Sequence, residues 1–91
     1  MVVKVYVIIV YDVNVSRVSK VCQFLRQYLN WVQNSVFEGE LSESQLEKIK
    51  IHLKKIIDPE QDGILIYILH SEKLLSRESI GKIKADLSFV I

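Results

Sequence analysis

Apolar positions along this chain change their spacing from one segment to the next, and each change marks an element. Val2 to Val10 is a nearly unbroken run of Val, Ile and Tyr, interrupted by Lys4. Such a run predicts a strand buried on both faces or nearly so. Asp12, Asn14 and Ser16 then offer three helix caps at alternate positions. From Arg17 to Leu29 the spacing turns helical, with Val18, Val21, Cys22, Leu25 and Leu29 on one stripe, Arg17 and Arg26 on its opposite edges and Asn30 as a stop. Between Trp31 and Leu41, Val32, Val36 and Phe37 favour strand and Gly39 marks a turn or bulge, so two short strands are expected. Ser42 and Gln45 form a capping box for a second helix whose stripe is Leu46, Ile49, Leu53, Ile56 and Ile57. Asp58-Pro59 ends that helix, Gln61-Asp62-Gly63 is turn chemistry, and Ile64 to Leu69 is another apolar strand.

The order strand-helix-strand-strand-helix-strand predicts an α+β, ferredoxin-like fold, one sheet with two helices on one face. The other face is left bare. A chain of 91 residues with 49% apolar content has more apolar surface than so small a domain hides, which predicts a homodimer. Beyond His70 comes a mixed segment with Gly81, then Phe89-Val90-Ile91. An apolar last tripeptide reads as a strand completing the edge of a partner subunit's sheet. The expected division is a core over residues 1–70 and an extension over 71–91 that carries this exchanged strand.

The net charge of +1 argues against generic, charge-driven nucleic-acid binding. Its distribution says more. Between Val13 and Phe37 there are no acids, only Arg17, Lys20 and Arg26, while Glu38 to Asp62 is rich in carboxylates. One side of a neutral domain can therefore be locally basic. Lys48, Lys50, Lys54 and Lys55 sit among glutamates and read as a solvated face, with contact to DNA as a secondary role. The single cysteine, Cys22, excludes an internal disulfide and a multi-cysteine zinc site, and its place on the helical stripe predicts a buried thiol. His52 and His70 have no cysteine or acidic partners at ligand spacing. The apolar start is too short to span a bilayer and lacks the features of a signal peptide, so a cytoplasmic protein without membrane contact is expected. No Gly-rich phosphate loop and no Ser-His-Asp arrangement is present.

The candidate chemistry centres on Asp12, at the tip of the first strand. A carboxylate at a strand-to-helix junction is also ordinary turn and cap chemistry. One carboxylate holds a hard cation poorly, because Mg²⁺ prefers several oxygen ligands; a twofold dimer brings two copies together. Arg17 and Lys20, three apart on one helical face, suit a phosphate backbone or plain solvation. Trp31 reads most simply as a core or interface aromatic, though it can stack on a base.

Tyr11-Asp12-Val13, the following Arg17, the segment Gln33-Asn34-Ser35-Val36-Phe37-Glu38-Gly39, and Gly81 ahead of the last strand resemble the family of CRISPR-associated protein two. That is the smaller of the two core spacer-acquisition proteins. The resemblance implies a ferredoxin-like homodimer whose C-terminal strand joins the neighbour's sheet. It implies Asp12 as metal ligand, with one Mg²⁺ (or Mn²⁺) shared between the two Asp12 of a dimer, and Tyr11, Arg17 and Phe37 as further catalytic residues. Arg17, Lys20 and Trp31 are the expected nucleic-acid contacts. The implied activity is metal-dependent cleavage of single-stranded RNA or double-stranded DNA, and the implied partners are integrase dimers in spacer acquisition. Two alternatives stay open: a non-catalytic DNA-binding scaffold between integrase dimers, and a messenger-RNA endonuclease like the small ferredoxin-like toxins. Where family members often carry an arginine before the second strand's Val-Gln, this chain has Trp31, which cannot neutralise a phosphate.

Overall fold

The computed structural model describes residues 3–71 and 74–82. In chain order the elements are β1 (Lys4–Asp12), α1 (Val15–Leu25), β2 (Asn30–Gln33), β3 (Val36–Ser42), α2 (Glu43–Ile56), β4 (Gly63–Ser71) and β5 (Leu74–Gly81). The strands form one antiparallel sheet in the order β2-β3-β1-β4-β5. The first four have the ferredoxin-like arrangement expected from the sequence, and β5 extends the sheet beyond β4. The most apolar strand, β1, takes the middle of the sheet, where both of its edges are paired from Tyr6 to Val10.

Side chains alternate across β1 with the period of two that a strand imposes. Val5, Val7, Ile9 and Tyr11 face the helices and join Val21, Leu25, Phe37, Leu41, Ile49, Leu53 and Ile66 in the main core. On the opposite face Val10, Val36 and Leu65 form a smaller buried cluster, with Ile8 and Tyr67 packed against it. Burial on both faces therefore holds only for the second half of β1. Lys4 and Tyr6 are exposed, because no helix covers that face of the sheet.

Of the three candidate caps, Asn14 is the one used: its Oδ1 accepts from the Ser16 N–H at 2.9 Å. The helix stops at Leu25, four residues short of the expected end. The Tyr28 N–H bonds the Leu25 carbonyl and the Gln27 N–H the Phe24 carbonyl, and these three-residue steps tighten the last turn. Leu29 remains buried with the helical stripe, although Asn30 opens β2 rather than stopping a helix. The turn between β2 and β3 falls at Asn34, with φ of 37°, and not at Gly39. Gly39 lies inside β3, opposite Val7, where a Cβ would stand 3.0 Å from Leu29 Cδ2. It is a glycine for close approach, not for a turn.

The second helix starts as expected. Ser42 Oγ accepts from the Gln45 N–H at 3.1 Å, and Gln45 Oε1 accepts from the Ser42 N–H at 2.9 Å. Leu46, Ile49 and Leu53 bury its inner face. The mixed segment after His70 forms β5, paired along its length with β4. Lys50, expected on a solvated face, instead reaches across to Glu78 of β5 at 2.8 Å and to Glu47 at 2.6 Å. The terminal Phe89-Val90-Ile91, expected to complete a partner's sheet, lies outside the described residues. Among the described residues, no helix is long and apolar enough to cross a membrane.

Candidate active site at the end of the first strand

Asp12 is the last residue of β1, at the C-terminal end of the central strand and in register with Gly63 of β4. Alternation from Ile8 and Val10 places it on the side of the sheet away from the helices. It is half-buried and borders a cavity of about 350 Å³ that is also lined by Val13, Asn14, Glu60, Gln61 and Lys82.

Tyr11, one residue earlier, points the other way. Its hydroxyl lies 3.1 Å from Cys22 Sγ and donates to the Asn34 carbonyl at 3.3 Å, while its ring packs on Phe37 with centroids 6.0 Å apart. Burial, aided by the Cys22 contact, pushes the Tyr11 phenol well above its ordinary range. Tyr11 therefore stays a neutral donor. Phe37 is fully buried. The pair lies beneath Asp12 on the helix side, where it anchors the strand end and does not line the cavity. Cys22 is only partly buried.

Arg17, in the first turn of α1, forks onto Asp62: Nε donates to Oδ2 at 2.6 Å and Nη2 to Oδ1 at 3.0 Å, with Gln61 Oε1 at 3.3 Å from Nη2. Asp62 is completely buried. Its oxygens also accept from the Asn14 N–H and the Asp58 N–H, each at 2.9 Å. The Arg17 fork holds the carboxyl at about 2, against an ordinary 3.8, with the two main-chain donors adding to it and burial opposing it. No local signal marks Asp62, which stands in the sequence as one acid among seven between Glu38 and Asp62.

A strand-end aspartate on a ferredoxin-like sheet, with a tyrosine behind it and an arginine opening the next helix, is the arrangement that the motifs led us to expect. A family model described as CRISPR associated protein Cas2 matches residues 5–77. The chain belongs to the Cas2 family. It is 50% identical over the full length of both chains to the CRISPR-associated endoribonuclease Cas2 of Methanothermobacter thermautotrophicus. To the CRISPR-associated endoribonuclease Cas2 2 of Archaeoglobus fulgidus it is 56% identical, over 89% of this chain and 88% of the other. A solved structure described as "Crystal structure of cas2" superposes with a TM-score of 0.72 at 48% identity, covering 90% of this chain and 92% of that one.

The remaining candidates of this Cas2 chain lie apart from Asp12. Trp31 is not a core residue: it is 55% exposed on β2, and its Nε1 donates to the Asn34 carbonyl at 3.0 Å, the same oxygen that takes the Tyr11 hydroxyl. Lys20 is exposed on α1, one turn beyond Arg17. His52 is exposed and stacks on Phe24, ring centroids 4.1 Å apart.

The donor set around Asp12 answers whether a divalent cation fits. Among the described residues no group of three or more His, Cys, Asp or Glu side chains could hold a metal ion. One chain thus supplies a single strand-end carboxylate, with Asn14, Gln61 and Glu60 also lining the cavity. Hard cations need more oxygen ligands than that, so one chain by itself does not make a complete site.

Proposed function

We propose that this Cas2 chain is a CRISPR-associated endoribonuclease that cleaves phosphodiesters of single-stranded RNA, works as a homodimer, and serves integrase dimers in spacer acquisition. The observation that carries this reading is the place of Asp12: the end of the central strand, on the face of the sheet away from the helices, beside a polar cavity. The relatives' names supply the activity class. Ile8, Val10, Leu65 and Tyr67 make that face apolar, and a second copy packed on it brings the two Asp12 to one edge of the interface. A divalent cation, Mg²⁺ or Mn²⁺, held between the two carboxylates would neutralise a phosphate oxygen and supply a water of lowered pKa.

The chain's own residues do the rest by position. Tyr11 and Phe37 fix the strand end from the core side, so that the Asp12 backbone does not yield when charge gathers at the cavity. Arg17 and Asp62 fix the segment that follows. Lys82, exposed on the cavity rim, is placed to meet a phosphate.

The test compares wild type and Asp12→Ala on single-stranded RNA and duplex DNA, with and without Mg²⁺ or Mn²⁺. We expect metal-dependent RNA cleavage that drops by at least about a thousandfold in the variant, with the dimer retained in sedimentation. Undiminished cleavage by Asp12→Ala would overturn the assignment.

Trp31 favours a second reading, a DNA-binding scaffold without nuclease activity. It is exposed where family members often carry arginine, and it offers stacking in place of charge. Spacer acquisition supported in cells by Asp12→Ala, together with no cleavage by the wild type, would select the scaffold.

A further inference from the structure

Asp62 gathers donors from three separate segments of the chain. Its carboxylate takes the Asn14 N–H from the loop after β1, the Asp58 N–H from the loop after α2, and two N–H groups of Arg17 from α1. Its main chain is tied down as well. The Asp62 N–H donates to the Asp58 carbonyl at 2.7 Å, and its carbonyl accepts from the Lys82 N–H at 2.7 Å, just past β5. A carboxylate buried to this degree persists only when paired and hydrogen-bonded, so the cluster forms or fails as a unit.

Its position gives that unit a target. Asn14 lies two residues beyond Asp12, and Gly63, next to Asp62, stands opposite Asp12 in the sheet. The backbone carrying Asp12 is therefore gripped on both sides by one residue and its neighbour. The guanidinium of Arg17 is turned to the same point: Nε and Nη2 serve Asp62, and Nη2 also reaches Gln61.

We propose that Asp62 and Arg17 are a positioning pair for Asp12. Asp62 fixes the Val13-Asn14 turn and with it the direction of the Asp12 carboxylate, and Arg17 acts on the reaction through Asp62, not by touching the nucleic acid. The proposal rests on the reading of Asp12 as the nuclease carboxylate. It separates two roles for Arg17 by chemistry. A phosphate contact tolerates lysine, a point charge, whereas a two-pronged fork on a buried carboxylate does not.

RNA cleavage kinetics of wild type, Asp62→Asn, Arg17→Lys and the double variant provide the first test. Both single variants should lose kcat by about 10- to 100-fold, the range for groups that orient a reacting residue, with KM within about twofold of wild type. The double variant should be no worse than the poorer single one, since both changes break one device. Arg17→Lys with unchanged kcat, a rise in KM alone, or losses that multiply in the double variant would overturn the proposal.

A second measurement does not depend on activity. The NMR signal of the Asp12 side-chain carboxyl carbon should shift in Asp62→Asn and in Arg17→Lys alike, while the amides of Val36 and Glu38 in β3 stay in place. An unmoved Asp12 carboxyl in a folded variant rejects the pair; if Asp62→Asn does not fold, Arg17→Lys carries the test. A wild type that cleaves no RNA would sink the nuclease reading, and the carboxyl signal would still judge the pairing.

Discussion

A buried carboxylate keeps its charge only while its donors stay in place, and Asp62 depends on Arg17, Asn14 and Asp58 for that. Because its carboxyl is held at about 2 against an ordinary 3.8, the ionised form stabilises the fold by about 2 kcal/mol. The sign follows from the depressed value. The contribution is complete above about pH 4, the range of the unfolded carboxyl, and is lost as pH falls through about 2. Urea denaturation of wild type and Asp62→Asn from about pH 6 downward should show a stability gap that narrows below about pH 4. A gap constant across that range would rule out this linkage. Asp12 itself, and the tyrosine and arginine near it, were legible as candidates from their motif. That Tyr11 and Phe37 support the strand end from the core side was not, since a motif records spacing and not which way a side chain points.

Among the elements, those with a strong local signal came out as expected. The capping box at Ser42 and Gln45 starts α2 in the predicted place, and the stripe of α1 buries Val21 and Leu25. The element that sequence reading did not anticipate is β5. Its polar stretch Ser76-Arg77-Glu78-Ser79 has no apolar alternation, and it is a strand because β4 supplies its hydrogen bonds and Lys50 meets Glu78. It ends at Gly81, whose φ of 84° suits glycine, and a Cβ there would stand 2.1 Å from the Asp62 carbonyl oxygen. Gly81→Ala should therefore destabilise the protein by about 2–3 kcal/mol, seen as a lower thermal midpoint. Hydrogen exchange should speed first at the Gly63 end of the β4–β5 ladder. A melt within a degree or so of wild type would mean that the end of β5 adjusts without cost.

For the whole molecule the question is what covers the second face of the sheet. Val10, Val36 and Leu65 are already shielded by their neighbours, but Tyr6 and Leu69, paired across β1 and β4, remain more than a third exposed. Tyr6 has its hydroxyl on the Glu38 carboxylate, so its ring is held in place on the open face. The proposed dimer buries this face. Leu69→Asp should then raise the dimer dissociation constant by about a hundredfold, as expected for a charge buried without a partner, with an unchanged circular-dichroism spectrum. Equilibrium sedimentation gives the answer directly. A variant that dimerises like wild type would place the subunit contact elsewhere and remove the argument for two Asp12 meeting at one edge.

What the sequence by itself determined is local. The nearly unbroken apolar run made β1 a central strand, helical spacing and caps made α1 and α2, and the order of elements led to a ferredoxin-like sheet. The Tyr-Asp-Val and Ser-Val-Phe motifs pointed to the Cas2 family and to Asp12. Tertiary structure decided whatever depends on partners far apart in the chain. Arg17 and Asp62 are 45 residues apart, and Asn14 and Asp62 are 48. No periodicity encodes which of many surface charges will meet once the sheet closes. An acid that reads as turn chemistry became the buried anchor of the site because folding enclosed it and surrounded it with four donors.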